Sequence, residues 1–170
     1  MAEPTPSAPQ PAGPAAPEGV SLAVNLQYIK DLSFENPRAP QVFSGQGGQP
    51  QVQVGVDVGA RQIGDKTYEV TLTVNAEAKV ANESAFVVEL VYAGLFTVTG
   101  LPQEQLAPVL LIECPRLLFP FAREIVASAT RDGGFPPLLI NPIDFVALYR
   151  RQAQQKQAAA QGDAAKTPIN

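Results

Sequence analysis

The spacing of apolar residues changes period once along this chain, near residue 103, and the change separates a strand half from a helix half. Across 22–35 the even positions are nearly all apolar (Leu22, Val24, Leu26, Tyr28, Leu32, Phe34), while Asn25, Gln27, Asp31, Ser33 and Glu35 are polar. Side chains alternate across a strand, so this predicts a single strand with one buried face. Asn36-Pro37 ends it, because proline donates nothing to a ladder and restricts the residue before it. A Gly/Gln/Pro-rich connection over 38–50 carries the apolar pair Val42-Phe43.

Three more strands follow. One over 51–58 turns Val52, Val54, Val56 and Val58 inward, and a turn near Ile63-Gly64-Asp65 leads to the next. There Tyr68, Val70, Leu72 and Val74 face one way, and Thr67, Glu69, Thr71, Thr73 and Glu77 the other. After Ala81-Asn82-Glu83, the strand over 84–98 is apolar on both sides around a lone Glu89. Consecutive strands with modest loops predict an antiparallel sheet. On its outer side, Ile29 lies beside Asp31 and Glu35, and Val87 and Val91 flank Glu89. A patch mixing carboxylates and aliphatics suits a basic, partly apolar partner; the same pattern also fits an ordinary mixed surface.

From Gln103 the period becomes helical: Leu106, Leu110, Cys114, Leu117, Phe121, Ile125 and Ala129 recur every three or four residues, widened by Val109, Leu118 and Val126. Pro115 and Pro120 must kink or interrupt this segment, and 131–134 ends it. A second helix is expected from Asn141 as N-cap, with Pro142 at its first position and Phe145 and Leu148 buried. The sum is an α+β fold: a four-stranded antiparallel sheet with two helices packed on one face.

Composition narrows the function. Residues 1–19 hold six of the 17 prolines among alanines, with no Lys or Arg, which predicts a disordered tail and not a secretory signal. The folded domain is expected over 20–151, with a flexible Gln/Ala-rich tail over 152–170. Between 21 and 149 there are 13 acidic and 8 basic residues, a net −5, so no basic stripe exists for nucleic acid. No apolar run is long enough for membrane insertion. The chain has no histidine and one cysteine, Cys114. That removes the commonest general base, the Ser-His and Cys-His pairs, and His- or multi-Cys metal sites, so neither an enzyme nor a cofactor is expected. The excess of apolar surface for so small a domain points to oligomerisation or ligand capture.

Three stretches then resemble a known family: IKDLSFENPRAPQVF at 29–43, CPRLLFPFAREIV at 114–126 and GGFPPLLINPIDFVALY at 133–149. They are similar, in order and without gaps, to the SecB protein-export chaperones, over about residues 24–150. The resemblance implies a cytoplasmic, ATP-independent chaperone, a homotetramer arranged as a dimer of dimers. It would keep unfolded, signal-bearing precursor proteins translocation-competent and deliver them to the SecA motor. It further implies a SecA-docking face at Asp31, Glu35, Val87 and Glu89, and an influence on tetramer assembly at Val88, Leu90 and Tyr92. A groove for unfolded chains would be lined by Val42, Phe43, Phe119, Phe121, Phe135, Leu138 and Leu139. The chain departs from the family at 45–48, where Gly-Gln-Gly-Gly replaces an aromatic connection. The alternative from a different class is an adaptor or scaffold that binds one folded partner through the acidic sheet.

Overall fold

A computed structural model describes residues 19–44 and 48–164, the side chains of 159–164 excepted. Residues 1–18 of the tail expected over 1–19, the loop residues 45–47 and the last six residues lie outside the described part.

The sheet has four antiparallel strands, β1 (Ser21–Glu35), β2 (Gln51–Gly64), β3 (Thr67–Val80) and β4 (Glu83–Thr99), in the order β1-β4-β3-β2. The β3–β4 hairpin turns on Ala81 and Asn82, both at positive φ (53° and 64°), as a two-residue turn matched to strand twist requires. The β2–β3 turn places Lys66 at φ 55°. β3 and β4 follow the expected alternation: Val70, Leu72, Val74, Val88, Leu90 and Phe96 are fully buried under the helices.

β1 does not follow it. Its pairing with β4 slips between Val24 and Leu26 and again between Ile29 and Asp31. Each bulge inserts one residue and moves the following side chains to the opposite face. Leu22, Val24, Ile29, Leu32 and Phe34 therefore share the helix-covered face, opposite Val98, Phe96, Tyr92, Leu90 and Val88. Leu26 and Tyr28, expected inside, face the open side, and Ile29, expected outside, faces the helices. Period-two reasoning has no means of registering two compensating bulges.

The helical half is one rod with a defect. Helix α1 (Gln103–Pro108) runs into a π turn (Val109–Glu113) and then α2 (Cys114–Asp132). The Cys114 N–H donates to the Val109 carbonyl, five residues back. In a regular helix the Pro115 ring would crowd the Leu111 carbonyl, and the wide turn relieves that contact. The extra residue also moves the buried line of α2 on by one position. Leu118, Ala122, Val126 and Thr130 pack on the sheet, while Leu117 and Phe121 of the expected stripe are about half exposed. Pro120 is accommodated inside α2. At Gly94 a Cβ would lie 2.9 Å from Leu118, so the bare glycine lets α2 come close to β4.

Helix α3 (Phe145–Ala164) starts three residues later than expected. Asp144, not Asn141, caps it: its carboxylate accepts the Ala147 N–H at 3.0 Å. Asp144 is the nearer short acceptor before Phe145 and Leu148, which are buried as expected. The helix continues past Arg151, where a flexible tail is expected, and Gln152 donates to the Asp57 carboxylate on β2 at 2.6 Å.

Candidate binding surfaces

Helices cover one side of the sheet and leave the other open. On that open side Asp31, Ser33 and Glu35 stand beside Val91, Glu89 and Val87, which in turn stand beside Thr73, Asn75 and Glu77. The four residues Asp31, Glu35, Val87 and Glu89 thus share one face, as the sequence implies. Their neighbour Glu77 enlarges the acidic patch; it is legible in the polar alternation of β3. A shallow depression of about 570 Å³ lies here, lined by Gly55, Asn75, Glu77, Val87 and Glu89 among others. Lys79 reaches Glu77 at 3.2 Å, but both groups are well exposed, so the patch keeps most of its negative field.

Farther along the same face lies Glu69, a buried carboxylate among open-face polar groups. It accepts hydrogen bonds from the Tyr28 hydroxyl, from Lys30 Nζ at 3.0 Å to each oxygen, and from Arg61 Nε at 2.5 Å. The Tyr28 and Arg61 hydrogen bonds, aided by Lys30, lower its pKa from 4.5 to about 2, and that Glu69 bond raises the Tyr28 pKa. Sequence reasoning missed this network because Tyr28 reaches the face only through the bulges of β1.

The apolar candidates divide into separate places. Phe43 and Phe135 meet with ring centroids 5.2 Å apart, and Phe135 also packs on Phe86 at 4.9 Å and Phe34 at 6.4 Å. Phe34 and Phe86 were not expected in this cluster. Val42 adjoins it and Phe43 is 49% exposed, so the cluster opens to solvent. The turn after α2 makes room: a Cβ on Gly133 would sit 2.2 Å from the Phe34 ring, and Gly134, at φ 88°, lies under Phe43. The buried Thr130 hydroxyl holds the following segment by accepting the Leu138 N–H at 2.9 Å. Leu138 packs on the core and Leu139 is exposed.

Phe119 and Phe121 do not join this group. Phe119 is buried in the core, edge-on to Phe145 at 6.0 Å, and Phe121 stacks on Tyr92 at 6.3 Å from the outer flank of α2. Val88 and Leu90 are fully buried and Tyr92 nearly so, all under the chain's own helices. They can touch assembly only through what packs on them. The uncovered apolar surface is beside them: Val24, Ile29 and Leu32 of β1 with Leu117 and Phe121 of α2, each more than 40% exposed. Cys114 is buried, and desolvation raises its thiol pKa to about 12, so it is not a nucleophile at neutral pH.

An acidic sheet face, an aromatic cluster open to solvent and an uncovered apolar flank define a protein organised around binding surfaces. The fold is that of SecB-like chaperones: the chain superimposes on one from Mycobacterium tuberculosis, solved with a peptide from an antitoxin, with a TM-score of 0.60 and 16% identity. That match covers 72% of this chain and 91% of the other. A family model described as preprotein translocase subunit SecB matches residues 15–156. A protein-export protein SecB of a Bradyrhizobium species is 56% identical over 151 residues, covering 89% of this chain and 93% of the relative. That of Bradyrhizobium diazoefficiens is 52% identical over the same length and coverage. The chain belongs to the SecB family and is a chaperone of protein export. Among the described residues, no helix is long and apolar enough to cross a membrane.

Proposed function

We propose that the protein is a cytoplasmic holdase that captures unfolded precursor chains, without ATP, and passes them to SecA from the open face of its sheet. The observation that carries this reading is the acidic face itself: four carboxylates (Asp31, Glu35, Glu77 and Glu89) and two partly exposed valines on a sheet side that no described element covers. A basic, partly apolar protein surface complements it, and charge complementarity there favours rapid encounter and release.

Client capture is assigned to the aromatic cluster, with Val42, Phe43 and Phe135 forming its wall and Leu138 and Leu139 its continuation. Broad apolar surface without a closed pocket suits many unrelated chains. Assembly into a dimer of dimers is assigned to the uncovered flank of Val24, Ile29, Leu32, Leu117 and Phe121. Residues Val88, Leu90 and Tyr92 would then act on assembly indirectly, by setting the height of α2 above the sheet.

The test of docking is Asp31→Lys combined with Glu89→Lys. SecA affinity is expected to fall at least tenfold while the light-scattering mass stays near four protomers. Unchanged affinity would remove the acidic face from the mechanism. The holdase role is tested by aggregation of an unfolded, signal-bearing precursor; failure to slow it would leave an adaptor for one folded partner.

A further inference from the structure

The open face carries a second site, of opposite sign to the acidic patch. A pocket of about 340 Å³ is lined by Lys30, Gly59, Ala60, Arg61, Glu69 and Thr71. One carboxylate faces two cations, so the site is left with a net positive charge. Arg61 engages Glu69 through Nε and makes no other hydrogen bond among the described residues; its side chain is 67% exposed. Lys30 is 41% exposed. Glu69 and its bonds fix both cations in place, which lowers the ordering cost of binding an anion.

The backbone is shaped around these groups. Lys30 is the residue inserted by the second bulge of β1, and bulges re-aim side chains in this way. On the other edge strand, a Cβ at position 59 would come within 2.8 Å of the Thr71 hydroxyl, so glycine there keeps this part of the pocket lining clear. Tyr28 stands opposite Ala93, four residues along β4 from Glu89. At ~3.3 Å per residue along β4 the two sites are roughly 13 Å apart on one face.

We propose that this pocket receives a carboxylate carried by the same protein that docks on the acidic patch, so that the open face reads two opposite charges at a fixed separation. The inference rests on the docking reading above. A carboxylate fits better than a phosphate: the planar guanidinium matches its two oxygens, and Glu69 leaves only one positive charge to balance, where a phosphate brings nearly two negative ones. The arrangement would orient the partner, since a segment docked in reverse meets like charge at both ends.

The test uses full-length protein and SecA, with affinity measured for the wild type and three single variants. Glu89→Lys tests docking and is expected to weaken binding about tenfold. Arg61→Gln removes a cation from the pocket and is expected to weaken it about fivefold; Glu69→Gln frees both cations and is expected to tighten it about threefold. Both pocket variants break the same Glu69–Arg61 ion pair, so a purely structural role moves them in the same direction. Weakening by Arg61→Gln together with tightening by Glu69→Gln supports a bound carboxylate, and the reverse pair of shifts overturns it. If Glu89→Lys weakens binding and the two pocket variants shift together or not at all, the pocket proposal is overturned and docking stands. If Glu89→Lys has no effect, docking falls and this proposal falls with it.

Discussion

If clients bind the aromatic cluster as proposed, Phe43 is the residue at which client binding separates from folding. Truncating it to alanine removes a ring that is 49% exposed and has one aromatic neighbour, Phe135 at 5.2 Å. Full burial of a phenylalanine contributes about 2–3 kcal/mol, so the buried half contributes roughly 1–1.5, and the aromatic pair adds ~0.5–1. The expected loss of stability is about 2 kcal/mol. The exposed half is what a client can cover, again roughly 1–1.5 kcal/mol, which corresponds to a five- to tenfold weaker affinity. Urea unfolding at fixed protomer concentration gives the first quantity, because the proposed assembly would add a concentration-dependent term. Titration with a fluorescently labelled unfolded precursor gives the second. Phe135→Ala is the control: with three ring neighbours within 6.4 Å it should cost about 3–4 kcal/mol. If Phe43→Ala loses its share of stability and binds precursor like the wild type, the ring only closes the core and the groove lies elsewhere.

Other expectations follow from the same geometry. Gly133→Ala places a methyl group against the Phe34 ring and should destabilise by about 1–3 kcal/mol in thermal unfolding, without altering helix content. Phe121→Lys with Ile29→Lys should reduce the light-scattering mass below four protomers while each protomer keeps its circular dichroism spectrum. Glu69 has a depressed pKa, so its contribution is complete above its ordinary value of 4.5 and is lost as pH falls towards about 2. Since Lys30 and Arg61 are partly solvated, roughly 1–2 kcal/mol is at stake. Acid unfolding of Glu69→Gln should lack this component.

Where each position obeyed one period, the sequence was sufficient. The inward rows of β3 and β4, the polar row from Thr71 to Glu77, and the burial of Phe145 and Leu148 all follow from alternation or helical spacing. Misreadings cluster where the backbone inserts a residue. The bulges of β1 exchange the faces of Tyr28 and Ile29, and the π turn before Cys114 exchanges Leu117 and Phe121 for Leu118 and Ala122. Neither insertion has a local signature in residue type, although Pro115 marks where a helix must accommodate something. The acidic patch was legible because Asp31 and Glu35 lie beyond the second bulge, where the alternation is restored. The aromatic cluster was only partly legible: aromatic type identifies Phe43, Phe119 and Phe135 alike, and only the facing of α2 sends Phe119 into the core.

The pairing of β1 with β4 also has a consequence for biosynthesis. Ser21 finds its partner at Thr99, 78 positions later, while β2, β3 and β4 connect by short hairpins. At ~5–20 residues per second a ribosome needs about 4–16 s to make that interval. For that time the first strand of this chaperone is itself an extended, unpaired segment with apolar side chains. Its two bulges and the charges Lys30, Asp31 and Glu35 make it a poor template for pairing with neighbouring nascent copies. The strand order leaves β1 at a sheet edge even after closure, so the same bulges and charges that blunt it during synthesis also blunt the edge of the finished sheet.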